Sequence, residues 1–175
     1  MAQKTNLPAN DLYVGALKIA DTDGKLYFEG SVIDPAGQTQ AVLVTEEGAG
    51  VYTGSATIPA GAIIQDVIVH AIALWDAATS ATMIVGDVAD PNGFFAAVNL
   101  KATDLLAGES VSFSEAGGKG GADVAATHIN RRYLATERTV SIEVTSVGAG
   151  TAGRTLMTVI YTVPTPTDAT FVAAA

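Results

Sequence analysis

The chain has no cysteine. That removes disulfide frameworks, thiolate zinc sites, iron–sulfur clusters and cysteine nucleophiles together, while leaving the compartment open. Positive charge is scarce as well: nine Lys and Arg stand against eighteen Asp and Glu, for a net charge of −9. The basic residues are scattered, and Lys101, Lys119 and the Arg131-Arg132 pair come nearest to a basic feature. Binding to nucleic acid rests on phosphate neutralisation by clustered Lys and Arg, so neither nucleic acid nor an anionic membrane surface is an expected partner. No apolar run approaches the roughly 20 residues that cross a bilayer. The start, Met1-Ala2-Gln3-Lys4-Thr5-Asn6, lacks the apolar core of a secretory signal, so the expectation is cytoplasmic synthesis with delivery by assembly or lysis. Aromatics make up 6% of the residues, with a single Trp, which disfavours a sugar-binding cleft.

What is present reads as short strands punctuated by Gly, Pro, Asn and Asp. A chain of 175 residues suits one domain and buries about two-thirds of its unfolded surface, enough for a core without metal or disulfide. Residues 1–15 are polar and carry Pro8 and Asn10, so they read as an N-terminal arm. The β-sandwich domain is expected over 16–165 and a C-terminal tail over 166–175. Asp21-Thr22-Asp23-Gly24 and Asp34-Pro35-Ala36-Gly37 are turns flanking a loosely alternating stretch at 25–33. Strands follow at 41–45, 51–58, 63–75, 82–88 and 94–100, then at 139–147 and 154–163.

The stretch 63–75 sets Ile64, Ile68, Ile72 and Leu74 against Ile63, Val67, Val69 and Trp75, a pattern that predicts a central strand covered on both faces, with Trp75 in the core. Only 102–107 and 122–128 have the character of short helices. The predicted fold is all-β, a β-sandwich of jelly-roll type with an extended N-terminal arm.

Candidate chemistry is thin. His70 sits inside an apolar strand, where a hydrogen-bonded structural histidine is the usual outcome, and His128 has no partner near it in sequence. No G-x-S-x-G elbow is present. Asp87, Asp90 and Asn92 form a D-x-x-D-x-N cluster, a weak calcium candidate that does not meet the EF-hand spacing; turn capping explains the same residues. Gly117-Gly118-Lys119-Gly120-Gly121 lacks the Ser or Thr and the helix that a phosphate loop needs, so it reads as a flexible or interface loop. No catalytic residue and no cofactor is expected, and the chain reads as non-enzymatic.

The stretch 52–164 resembles a family of tailed-bacteriophage virion proteins associated with the capsid. The segments that carry the resemblance are SATIPAG at 55–61, DVIVHAIALW at 66–75, TSATMIVGD at 79–87 and DPNGFF at 90–95. VNLKATDL at 98–105, the GGKG loop at 117–120 and GTAGR at 150–154 complete it. The resemblance implies a decoration or cement protein on the outer capsid surface, made in the host cytoplasm and binding the major capsid protein. A homo-oligomer is expected, with a trimer at local threefold positions as one arrangement. Leu7, Leu12, Tyr13 and Val14 are the candidate anchors of the arm on a neighbouring subunit. A tail, fibre or head–tail joining component is the alternative, and a carbohydrate-binding or hydrolytic jelly roll a third reading.

Overall fold

A computed structural model describes residues 12–14, 17–20, 26–28, 31–33, 38–101, 103–125 and 129–163. Strands β1 (Leu12–Val14) and β2 (Leu17–Ala20) form one antiparallel pair, and β3 (Leu26–Phe28) and β4 (Ser31–Ile33) form another. The stretch 25–33, expected as one alternating run, is thus two strands paired from Leu26↔Ile33 to Phe28↔Ser31.

Thr39–Val163 is a compact unit of its own. Its strands are β5 (Gln38–Thr45), β6 (Gly50–Ile58), β7 (Ile63–Ala73), β8 (Ser80–Asp87), β9 (Phe95–Asn99), β10 (Ser110–Val111), β11 (Arg138–Val147) and β12 (Arg154–Thr162). They form two four-stranded sheets, β10-β7-β12-β5 and β6-β11-β8-β9. β5 lies beside β12, β6 beside β11, β7 beside β10 and β8 beside β9. The first of the eight pairs with the last, the second with the seventh, and so on inward. A chain doubled back on itself and rolled into two facing sheets produces this order, which is that of a jelly roll.

Alternation dictates the core. Val140, Ile142 and Val144 of β11 are buried, as are Met157, Val159 and Tyr161 of β12. The outer face of the β6-containing sheet carries Thr53, Ser55, Thr57, Ser141, Glu143 and Thr145. β7 departs from the expected pattern. Ile160 pairs with Asp66 and Tyr161 with Ile64, so Gln65 is an extra residue and the strand changes phase there. Ile64 faces the core before this bulge, and Val67, Val69 and Ala71 face it afterwards. Among the described residues the other face is only partly covered: Ile68 and His70 are half-buried, and Ile72, skipped by a second register shift, is 47% exposed. Trp75 lies just beyond the strand and is buried as expected.

No helix occurs among the described residues. In 103–107 the chain turns instead: Asp104 Oδ2 accepts the Asn99 N–H at 2.7 Å, and Gly108 takes a φ of +88° that ends the turn. At 121–125 the N–H groups of Val124 and Ala125 both bond to the Gly121 carbonyl, giving a single turn.

Candidate functional site

Buried polar groups gather at the two ends of the jelly roll. At one end, Asp87 closes β8 and Arg138 opens β11. Arg131 reaches the same point from the loop before β11, and its Nη2 donates to Asp87 Oδ1 at 2.9 Å and Oδ2 at 2.8 Å. Arg138 Nη1 lies 3.8 Å from Asp87 Oδ2, and Arg131 Nε lies 3.5 Å from Asp123 Oδ2. Arg138 also donates through Nη2 to the Arg132 carbonyl at 2.8 Å and through Nη1 to that of Arg131. Arg131 itself sits at φ +52°, a conformation uncommon for a side chain without a special reason.

Burial would push the Asp87 carboxyl up, but the Arg131 hydrogen bond and the amides of Asp90 and Ala89 outweigh it and hold the pKa below the ordinary value. Burial wins at Asp123, with help from the neighbouring Asp90 and Asp87 carboxylates, and raises its pKa against the pull of Arg131. Burial likewise lowers the pKa of Arg138. The Asp87 hydrogen bond raises that of Arg131.

Of the calcium candidates, Asp87 meets a cation that is part of the chain, Arg131. Asp87 Oδ1 caps the turn by accepting the N–H groups of Ala89 at 2.9 Å and Asp90 at 3.1 Å, besides Arg131. Asp90 stands next to Gly93 in the same turn, and the Asn92 carbonyl packs against Gly121. Gly86 and Gly121 are required here, because a Cβ on either would run into the backbone of this turn.

At the opposite end, Glu46 follows β5 and is 2% exposed. Ser146 Oγ donates to its Oε1 at 2.9 Å, and the N–H groups of Gly153 and Asp76 donate to Oε2, both at 3.1 Å. Asp76 Oδ1 accepts the N–H groups of Thr151 at 2.7 Å and Ala152 at 3.0 Å, and these bonds lower its pKa. Trp75 donates its indole N–H to Thr155 Oγ1 at 2.9 Å and packs on Tyr52 with ring centroids 5.6 Å apart. Gly153 permits the fit, since a Cβ there would lie 2.5 Å from the indole. Two carboxylates and one indole thus fasten the 46–50, 74–79 and 148–153 connections together.

The other expected residues fall as follows. His70 Nδ1 is 2.8 Å from Ser110 Oγ, an exposed contact between residues that are register partners of β7 and β10. No carboxylate bonds the imidazole among the described residues, so the pair is a cross-strand contact and not a charge-relay triad. His128 and Leu7 lie outside the described residues. Leu12, Tyr13 and Val14 make up β1, opposite Ala20, Lys18 and Leu17. The Gly-rich loop is not a phosphate cradle. Lys119 Nζ bonds Asp104 at 2.7 Å, the Lys119 carbonyl accepts the Ala96 N–H at 2.9 Å, and Gly120 bridges to Phe95.

Sequence reasoning missed Glu46, Asp76, Asp123 and Arg138. Glu46 gave no signal within its turn. Arg138, a charge at the first position of a strongly alternating strand, was the one visible cue.

No known protein family and no curated protein matches the chain. Two solved structures are similar. A chain of the Cyanophage Pam1 capsid asymmetric unit is 22% identical with a TM-score of 0.44, covering 73% of this chain and 86% of its own. A chain of the capsid of Ralstonia phage GP4 is 22% identical with a TM-score of 0.44, covering 75% and 88%.

Proposed function

We propose that the protein is a non-catalytic structural component of a tailed-phage head, which decorates the outer shell by binding the major capsid protein. The observation that carries the reading is a jelly-roll body whose two ends are both fastened by buried polar networks, at Asp87–Arg131–Arg138 and at Glu46–Ser146–Gly153. A particle coat needs such a body: its loops must keep their shape while many copies press on one shell. The sequence resemblance over 52–164 supports the same reading. In it, each polar group just described has a structural task. Asp87 and Glu46 hold loops, Lys119 pins the Gly-rich loop, and Ser110 and His70 link neighbouring strands. A fold of this class serves many functions, so the role rests on these particulars and the resemblance, not on the topology.

Residues 1–15 would supply the grip on a neighbouring shell subunit, with Leu7, Leu12, Tyr13 and Val14 as anchors. The test is co-sedimentation of the purified protein with capsids that lack it, scored as copies bound per particle. Saturation at hundreds of copies is expected, with binding lost when residues 1–15 are deleted and the far-ultraviolet circular dichroism of the body retained. Binding of only a few copies would refute decoration in favour of a tail or joining position. Unchanged binding by the truncated protein would remove the arm from the account.

A further inference from the structure

Of the four sheet edges, β10, β5, β6 and β9, the β9 and β10 edges are treated very differently from β6. β9 is covered by the Gly-rich loop, through the Phe95↔Gly120 bridge and the Ala96 N–H to Lys119 carbonyl bond. It is also short, interrupted by a register shift and carries Ala97 at φ +53°. Along β7, the two-residue β10 is extended by bonds between Ala71 and both Gly108 and Glu109. Further along, Ile63 bridges Tyr133, and the Ile64 N–H bonds the Arg132 carbonyl. These are the usual means of keeping a sheet edge from recruiting another strand.

β6 has none of them. It pairs with β11 in nine consecutive register partners, from Arg138↔Ile58 to Ser146↔Gly50, without a shift. Its sequence, GVYTGSATI, holds no charge and no proline. Its other edge has no strand neighbour, and no loop bonds to its backbone among the described residues. A long, flat, neutral edge is a template for strand addition.

We propose that the β6 edge pairs with the β6 edge of a second copy, antiparallel and across a two-fold axis. The two β6-containing sheets would then form one continuous eight-stranded sheet. The neutrality of β6 is what selects a second copy. In an isologous pair each side chain near the axis faces its own equivalent, so any charge would face a like charge, which is destabilising. A foreign strand imposes no such condition, and complementary charge would be the natural device in a chain of net charge −9. The side chains on the outer face also suit self-pairing. Thr53, Ser55 and Thr57 are exposed, and Ser55 Oγ already meets Ser141 Oγ across β11 at 3.0 Å, a hydroxyl ladder that a second β6 continues. An edge of this kind closes on a pair; it does not build a trimer. The inference concerns the free protein and stands apart from shell decoration.

The experiment is sedimentation velocity of the full chain over a wide concentration range, with Thr53→Lys/Ser55→Lys and Thr53→Glu/Ser55→Glu variants. Both positions are exposed, so circular dichroism should stay near wild type; the thermal midpoint should hold for the lysine variant and fall modestly for the glutamate variant, whose residue 53 stands opposite Glu143. The wild type should sediment as a dimer and each variant as a monomer. An equimolar mixture of the two should dimerise again, because Lys then faces Glu. In the wild type, amide exchange over Gly50–Ile58 should slow as concentration rises, a readout that needs no variant. A wild type that is monomeric throughout would overturn the proposal, as would a dimer indifferent to the lysines or a mixture that fails to reassociate.

Discussion

Asp87→Asn is the perturbation that most directly tests the account of the β8 end. The carboxylate and the Arg138 guanidinium are 5% and 6% exposed, while Arg131 is 34% exposed and its share is screened by solvent. Removing one member of a buried ion pair costs about 3–5 kcal/mol, because the other is left enclosed without a counter-charge. Asn retains an oxygen for the Ala89 and Asp90 amides, and Arg138 retains the Arg131 and Arg132 carbonyls. The low end, about 3 kcal/mol, is therefore expected, equivalent to a fall of roughly 6–12 °C in Tm for a chain of this size. The pH dependence gives a second, independent handle. Asp87 has a depressed folded pKa, so its contribution is present above the unfolded value near ~3.9 and is lost as pH falls through the folded value. Asp123 is shifted upward and acts oppositely: its contribution is present below the unfolded value and is lost as pH rises through the folded one. The difference between wild type and variant reports mainly on Asp87, less a smaller opposite change at Asp123, whose pKa the Asp87 carboxylate helps to raise, and thermal unfolding followed by circular dichroism across the acid range measures it. A loss under about 1 kcal/mol at neutral pH, the worth of an exposed pair, would refute the buried-network reading. So would a gap that fails to narrow in acid.

Glu46→Ala leaves the Ser146 hydroxyl and the Gly153 and Asp76 amides without their acceptor and should cost about 3 kcal/mol or more. Glu46→Gln keeps the shape and an oxygen acceptor and should cost about 1 kcal/mol, so equal urea midpoints for the two variants would contradict the contact geometry. Gly121→Ala would drive a Cβ into the Asn92 carbonyl and to 2.5 Å from that of Gly93, where backbone lines the gap and cannot yield cheaply. A loss of about 1–3 kcal/mol is expected, with faster amide exchange at Ala96. An unchanged Tm would show that the loop does not pack as described.

The sandwich was legible because its signal is local and repeated. β11 and β12 alternate residue by residue, and Pro or Gly marks most of the turns between strands. The faces of β7 were not legible, because the extra residue at Gln65 leaves no mark in an apolar run where either phase looks correct. The short helices expected at 102–107 and 122–128 are absent from the described residues of those ranges for a related reason. Asp104 and Gly121 serve long-range and turn hydrogen bonds there, and tertiary context overrode a weak local preference. The polar networks were beyond reach for another reason. Glu46 meets Gly153 at a sequence separation of 107 and Arg131 meets Asp87 at 44, so no spacing motif can announce either.

The interleaved strand order has a consequence for synthesis. β11 and β12, the last two strands of the body to leave the ribosome, are interior strands, each flanked on both sides within its sheet. Neither sheet can be completed by a nascent chain that stops short of them, however long it waits. At about 5–20 residues per second, the stretch from Gln38 to Thr162 takes roughly 6–25 s to make. Through that interval β5, β6, β7 and β8 are present without the partners that later separate them. The two sheets can therefore close only late, after β11 and β12 emerge, and a translational pause before Arg154 would leave β7 and β5 without the strand that joins them.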